Sequence, residues 1–141
     1  MTTQQLLLLP LFLHVALIAL VGTRNVLGRV ASVRAGETRL KDIALDAGKW
    51  PPHLRKLGNN FDNQFDLPMM WYGLCALLIA TGKVDGIMAL LSWAFFLSRL
   101  VHSYIHTGSN RLPQRMYAYL AGMIAIVMMW IWFGLRLFVI G

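Results

Sequence analysis

Acidic residues are scarce in this sequence. Six Asp and Glu stand against 13 Lys and Arg in 141 residues, and charged residues together make up only 13% of the chain. A soluble domain carries about 25% charged residues, so the shortage argues against one. There is a single cysteine, Cys75, set inside an apolar run. It excludes an intrachain disulfide and reads as a packing residue. No His, Cys, Asp or Glu spacing resembles a zinc site, and neither a glycine-rich phosphate loop nor a Ser-His-Asp arrangement occurs. Positive charge is missing ahead of the first apolar run, 6–21, with no Lys or Arg before Arg24. A cleaved signal peptide carries charge there, so this run reads as a retained transmembrane helix.

What the sequence has in abundance is apolar surface: 57% of residues are hydrophobic. Four runs approach the roughly 20 residues that cross about 30 Å of hydrocarbon. They cover about 4–27, 60–81, 85–106 and 113–140, with a hydrophilic loop at about 28–59. The six residues 81–86, TGKVDG, make a tight turn that forces the second and third spans antiparallel. Asn110 reads as the N-cap of the fourth span, with Pro113 tolerated in its first turn. The expected fold class is therefore an all-α integral membrane protein, a four-transmembrane-helix bundle forming one domain over 1–141.

The net charge of +7 invites a nucleic-acid reading, but the basic residues collect between apolar runs. Seven lie in the first loop (29, 34, 39, 41, 49, 55 and 56), Arg111 and Arg115 follow the third span, and the opposite side has Lys83 and Arg136. By the positive-inside rule the basic loops face the cytoplasm and both termini face out, as in a multi-pass protein of a bacterial inner membrane. The expected partner is the bilayer, with no nucleic acid.

Polar residues interrupt the spans in a pattern. In the third, Arg99, His102 and His106 follow i, i+3, i+7 and share a helical face. In the second, NNFDNQFDLP places Asn60, Asn63, Gln64 and Leu67 at helical spacing, with Asp62 and Asp66 rotated away. Counted from Lys83, Gln64 lies 19 residues back and His102 19 forward, which at 1.5 Å per residue sets both roughly 28 Å from the turn. Asn60 and His106 match in the same way, and Arg99 sits about a turn deeper. Any one of these groups also fits an interfacial anchor with a snorkelling side chain. Arg99 resists that reading, because an arginine inside a span costs at least ~2.5 kcal/mol unless paired or hydrated. Together with Arg111 and Arg115 the groups read as a basic, amide-lined pocket that takes an anion. His14 and His102 differ in depth by roughly 12 Å, which excludes a shared haem and leaves His14 as a packed histidine.

With these residues in view, the chain resembles the MAPEG family, the membrane-associated proteins of eicosanoid and glutathione metabolism, as a small bacterial-type member. The resemblance rests on four spans, a long loop after the first, an Asn-rich segment ahead of Pro68, and SRLVHSYIHTGSNRLPQR across the third and fourth spans. It implies a homotrimer that binds glutathione between subunits near the cytosolic face. It further implies that Asn60, Asn63, Gln64, Arg99, His102 and Arg111 bind glutathione, and that Arg115 holds the thiolate with His106 assisting at the sulfur. No metal is implied. Where characterised eukaryotic enzymes of the family usually have Glu in the second span this chain has Gln64, and where they often have Tyr in the third it has His106. The implied activity is conjugation or reduction of lipophilic electrophiles or peroxides arriving through the bilayer, with glutathione as cosubstrate. A reading of another class is a non-catalytic membrane protein whose basic pocket holds an anionic lipid headgroup or a partner.

Overall fold

A computed structural model describes residues 1–140. The described residues form helices and turns without strands: α1 (Thr3–Arg34), α2 (Leu40–Ile43), a 3-10 turn (Ala47–Lys49), α3 (Pro52–Asp62), α4 (Leu67–Ala80), α5 (Gly86–Thr107) and α6 (Leu112–Phe138). Three of these, α1, α5 and α6, are long and apolar enough to cross a membrane.

α1 opens on a capping box, with Gln5 N–H donating to the Thr2 hydroxyl and Thr2 N–H to the Gln5 side chain. Pro10 lies inside this helix and supplies no N–H, which leaves the carbonyl of Leu6 without its helical donor. Trp93 of α5 fills that gap, its Nε1 donating to Leu6 O at 3.1 Å, while Ser92 Oγ donates to Leu7 O at 3.0 Å. Trp71 of α4 donates to the same Ser92 hydroxyl at 3.1 Å, so one buried serine ties three helices together.

α1 continues to Arg34, beyond the expected end near residue 27, and much of the expected hydrophilic loop is helical. The chain turns at Gly36, whose φ of 75° suits glycine, and Ser32 secures the turn through Glu37 and Thr38. α3 then lies back along α1, with Leu54, Gly58 and Asn60 on its buried face.

The second apolar run is not one helix from residue 60. A helix running through Pro68 would lose a donor and drive the proline ring against the carbonyl of Gln64. The chain breaks instead over residues 63–66 and restarts as α4, with Pro68 in the first turn, where no N–H is needed. α4 has 14 residues, or about 21 Å of helix.

α5 and α6 make the closest helix pair. Gly122 permits it: a Cβ there would collide with Ser98 Oγ on α5. The core lies beneath this pair, where Leu74, Leu78, Met88, Phe95, Ile126 and Met129 are buried with Trp71. At the far end Asp85 caps α5 through Met88 N–H at 2.9 Å and accepts from Trp132 Nε1 and Arg136 Nη1, each at 2.8 Å. At the other end Arg111 takes the N-cap position of α6. Asn110, expected there, has a φ of 51° and accepts from Arg115 Nη1 at 2.9 Å.

Candidate functional site

The break at 63–66 shapes the polar end of the bundle. Helical arithmetic from Lys83 pairs Gln64 with His102 and Asn60 with His106, but that arithmetic assumes an unbroken rise. In the structure Asn60 Nδ2 donates to Ser103 Oγ at 2.9 Å, about one turn from the expected partner. Gln64 turns away from His102 and toward α1.

There it meets His14. Gln64 Nε2 donates to the carbonyl and side-chain oxygens of Asn60 at 2.9 and 3.3 Å, which fixes the amide's orientation. Its Oε1 therefore faces His14 Nε2 at 3.2 Å, and that nitrogen must carry the proton. Nδ1 is left as an acceptor for the Tyr72 hydroxyl at 2.7 Å. The direction of donation then runs from Tyr72 through His14, Gln64 and Asn60 to Ser103. His14 is packed, as expected, but it also anchors this chain.

On the other side of the break lies an open groove of about 300 Å³ lined by Asn63, His102, Leu112, Arg115, Met116 and Tyr119. Arg99 stands behind it at 1% exposure, its Nη2 donating to Asn63 O at 2.6 Å and its guanidinium carbon 6.0 Å from the centre of the Tyr119 ring. Its Nε and Nη1 are buried without a partner. Among the described residues no carboxylate pairs with it, although Asp66 lies within electrostatic reach.

His102 Nδ1 donates to the backbone carbonyl of Arg115 at 3.1 Å. Its Nε2, buried and without a partner, is the remaining lone pair in the wall of the groove when the ring is neutral. His106 packs edge-on against His102 at 5.5 Å between ring centres and does not line the groove. Arg111 is exposed at the start of α6.

The candidate residues thus fall into groups. Asn63, His102 and Arg115 share the groove, Arg99 and His106 back it, and Arg111 stands outside. Asn60 and Gln64 belong to the interior chain. Tyr119 and Asp66 were not among the expected residues. Tyr119 follows Arg115 by four positions on one helix face, a signal the spacing carried. The helical projection excludes Asp66 because it assumes an unbroken helix through residues 63–66, where the chain in fact breaks. Among the described residues no three His, Cys, Asp or Glu converge as a metal site.

A helical bundle with three membrane-length helices and a groove bearing Arg115 at one end has the character of an integral membrane protein. Residues 6–135 match the model of the MAPEG family, and the chain belongs to that family. Neither a curated protein nor a solved structure matches it.

Proposed function

We propose that this protein is a membrane glutathione transferase-like enzyme that holds glutathione as a thiolate in the Arg115 groove. α4 with residues 63–66 makes the fourth crossing, and three subunits associate so that a neighbour closes the groove. The observation that carries the reading is Arg99, buried to 1% exposure with two donors free and no carboxylate paired with it among the described residues. A charge in that position calls for an anionic ligand. Membership of the MAPEG family, which includes glutathione-using members, supports glutathione as that anion.

A free thiol with a pKa of about 8.5 is mostly protonated at neutral pH, and a neighbouring guanidinium favours the thiolate. Arg115 supplies that charge at the N-terminus of α6, where free N–H groups already favour an anion. It cannot serve as the base, because its guanidinium keeps its proton. The thiol proton passes through His102 Nε2 to water, and the thiolate sulfur then bonds to the carbon of a lipophilic electrophile as that carbon's leaving group departs with its electron pair. With a peroxide it attacks one oxygen as the O–O bond breaks, releasing an alcohol and leaving a glutathione sulfenic acid that a second glutathione thiol converts to the disulfide and water. Arg99 and Arg111 take the carboxylates of glutathione, and Asn63 contributes hydrogen bonds. His106 holds the His102 ring edge-on, and Asn60 and Gln64 act through the turn that carries Asn63.

The test is thiolate ultraviolet absorbance across pH on the purified protein, beside glutathione binding by calorimetry. Arg115→Ala should abolish the thiolate signal and most conjugation while binding weakens only modestly, and Arg115→Lys should recover part of it. A wild-type thiolate titration in Arg115→Ala would refute the assignment. No thiolate signal in the wild type, with anionic lipid bound in the groove instead, would establish the non-catalytic reading.

A further inference from the structure

The C-terminal end of α1 carries a second basic groove, separate from the Arg115 groove. A groove of about 340 Å³ is lined by Arg29, Val30, Val33, Arg34, Leu40 and Trp50. Arg29 is held in place there. Its guanidinium carbon lies 4.9 Å from the centre of the Trp50 ring, and its Nη2 rests against Gly58, where a Cβ would come within 2.8 Å. Its Nε is buried without a partner, and the Oδ1 of the adjacent Asn25, itself 6% exposed, is also unpartnered. The ion pairs among the described residues are Arg39 with Asp42 and Arg136 with Asp85, so neither Arg29 nor Arg34 is neutralised.

The groove continues an apolar strip of α1. Val26 is 58% exposed and Val30 41%, leading from the membrane-spanning part of the helix toward Arg34. α1 has 32 residues, or about 48 Å, against roughly 30 Å of hydrocarbon, so its last turns reach headgroup depth. Across the groove Leu40 is 65% exposed, and nearby Leu45 is 101% exposed on a loop that also carries Lys41 and Lys49. Exposed leucines interleaved with free cations beside an indole suit a bilayer surface.

We propose that this groove is a binding site for an anionic phospholipid. Its phosphate rests between Arg29 and Arg34, and an acyl chain lies along Val26, Val30 and Val33. Lipid is chosen over a soluble phosphate because the two cations stand at the end of an apolar strip, which a free anion leaves unused. The site does not depend on glutathione binding at Arg115.

The full-length protein, delipidated in mild detergent, is offered equal amounts of phosphatidylglycerol and phosphatidylcholine with matched chains, and retention is read by native mass spectrometry. Each cation near an anionic headgroup is worth roughly a fivefold change in partitioning, so two predict a preference of about twenty-five-fold for phosphatidylglycerol. Arg34→Gln should cut that preference by about fivefold. Arg34 is exposed and makes no hydrogen bond through its side chain, so the variant folds. Arg39→Gln, which removes a cation already paired with Asp42, should leave the preference unchanged. Equal retention of both lipids, or an unaltered preference in Arg34→Gln, overturns the proposal. So does displacement of the lipid by soluble glycerol phosphate or by glutathione at equal concentration, which would assign the site to a free anion.

Discussion

Replacing Arg99 by methionine separates a ligand site from a structural arginine by the sign of the stability change. The side chain makes one charged hydrogen bond, Nη2 to Asn63 O at 2.6 Å, worth roughly 1.5–3 kcal/mol. Tyr119 at 6.0 Å adds about 0.5–1 kcal/mol. Against these stand two buried donors without partners, Nε and Nη1, each costing about 1–3 kcal/mol. The arginine is thus close to neutral or net unfavourable without ligand. Methionine fills much of the same volume and carries no charge, and replacing a buried charge with an apolar side chain of similar size is often neutral or stabilising by about 1–4 kcal/mol. Arg99→Met should therefore keep, or slightly raise, the unfolding temperature of the ligand-free protein. It should also erase the stabilisation by glutathione, which at a hundred times the dissociation constant amounts to about 2.7 kcal/mol in the wild type. Thermal unfolding in detergent, followed by tryptophan fluorescence with and without glutathione, measures both. Destabilisation beyond about 3 kcal/mol without ligand, or an undiminished glutathione shift in the variant, would refute the reasoning.

Gln64→Leu should destabilise the fold by about 2–4 kcal/mol in the same assay, since it strands His14 Nε2–H and the Asn60 side-chain oxygen in a buried setting. Asp85→Ala removes the α5 cap and the partner of both Trp132 and Arg136, and a loss of about 2–4 kcal/mol is expected; a change below about 1 kcal/mol would show that the α6 contact contributes nothing. For orientation, Leu45→Cys offers a fully exposed thiol on the basic loop, whereas Ser32 is buried against Glu37 and Thr38 and the native Cys75 is buried in the core. A membrane-impermeant maleimide should label Leu45→Cys in lysed cells but not in intact ones, and labelling in intact cells would reverse the topology.

Much of the architecture was legible because hydrophobic length and loop charge are properties of local sequence. The TGKVDG turn, the antiparallel α4 and α5, and the shared face of Arg99, His102 and His106 all follow from spacing. The buried state of Arg99 was legible too, since a charge within a membrane-length run has few alternatives. Three features were not. α1 ran on to Arg34 because polar helix beyond the hydrocarbon leaves no hydropathy signal. The loop folded into α3 through contacts at Gly22, Gly28 and Gly58, which depend on another helix being present. The levels of Asn60 and Gln64 went astray because a constant rise was carried across Pro68.

The sequence by itself determined that this chain is apolar, helical and basic in its loops, and it singled out the polar residues that interrupt its apolar runs. Those properties belong to single side chains and to periodicities within one segment. Only the tertiary structure decided which of them meet. The Pro68 break turns Asn63 toward Arg99 and Gln64 toward His14, so adjacent residues serve opposite sides of the bundle. It also showed that Arg99 forms no ion pair among the described residues and that Arg29 rests between Trp50 and Gly58. Charge compensation depends on distances between segments, and those distances are set by packing.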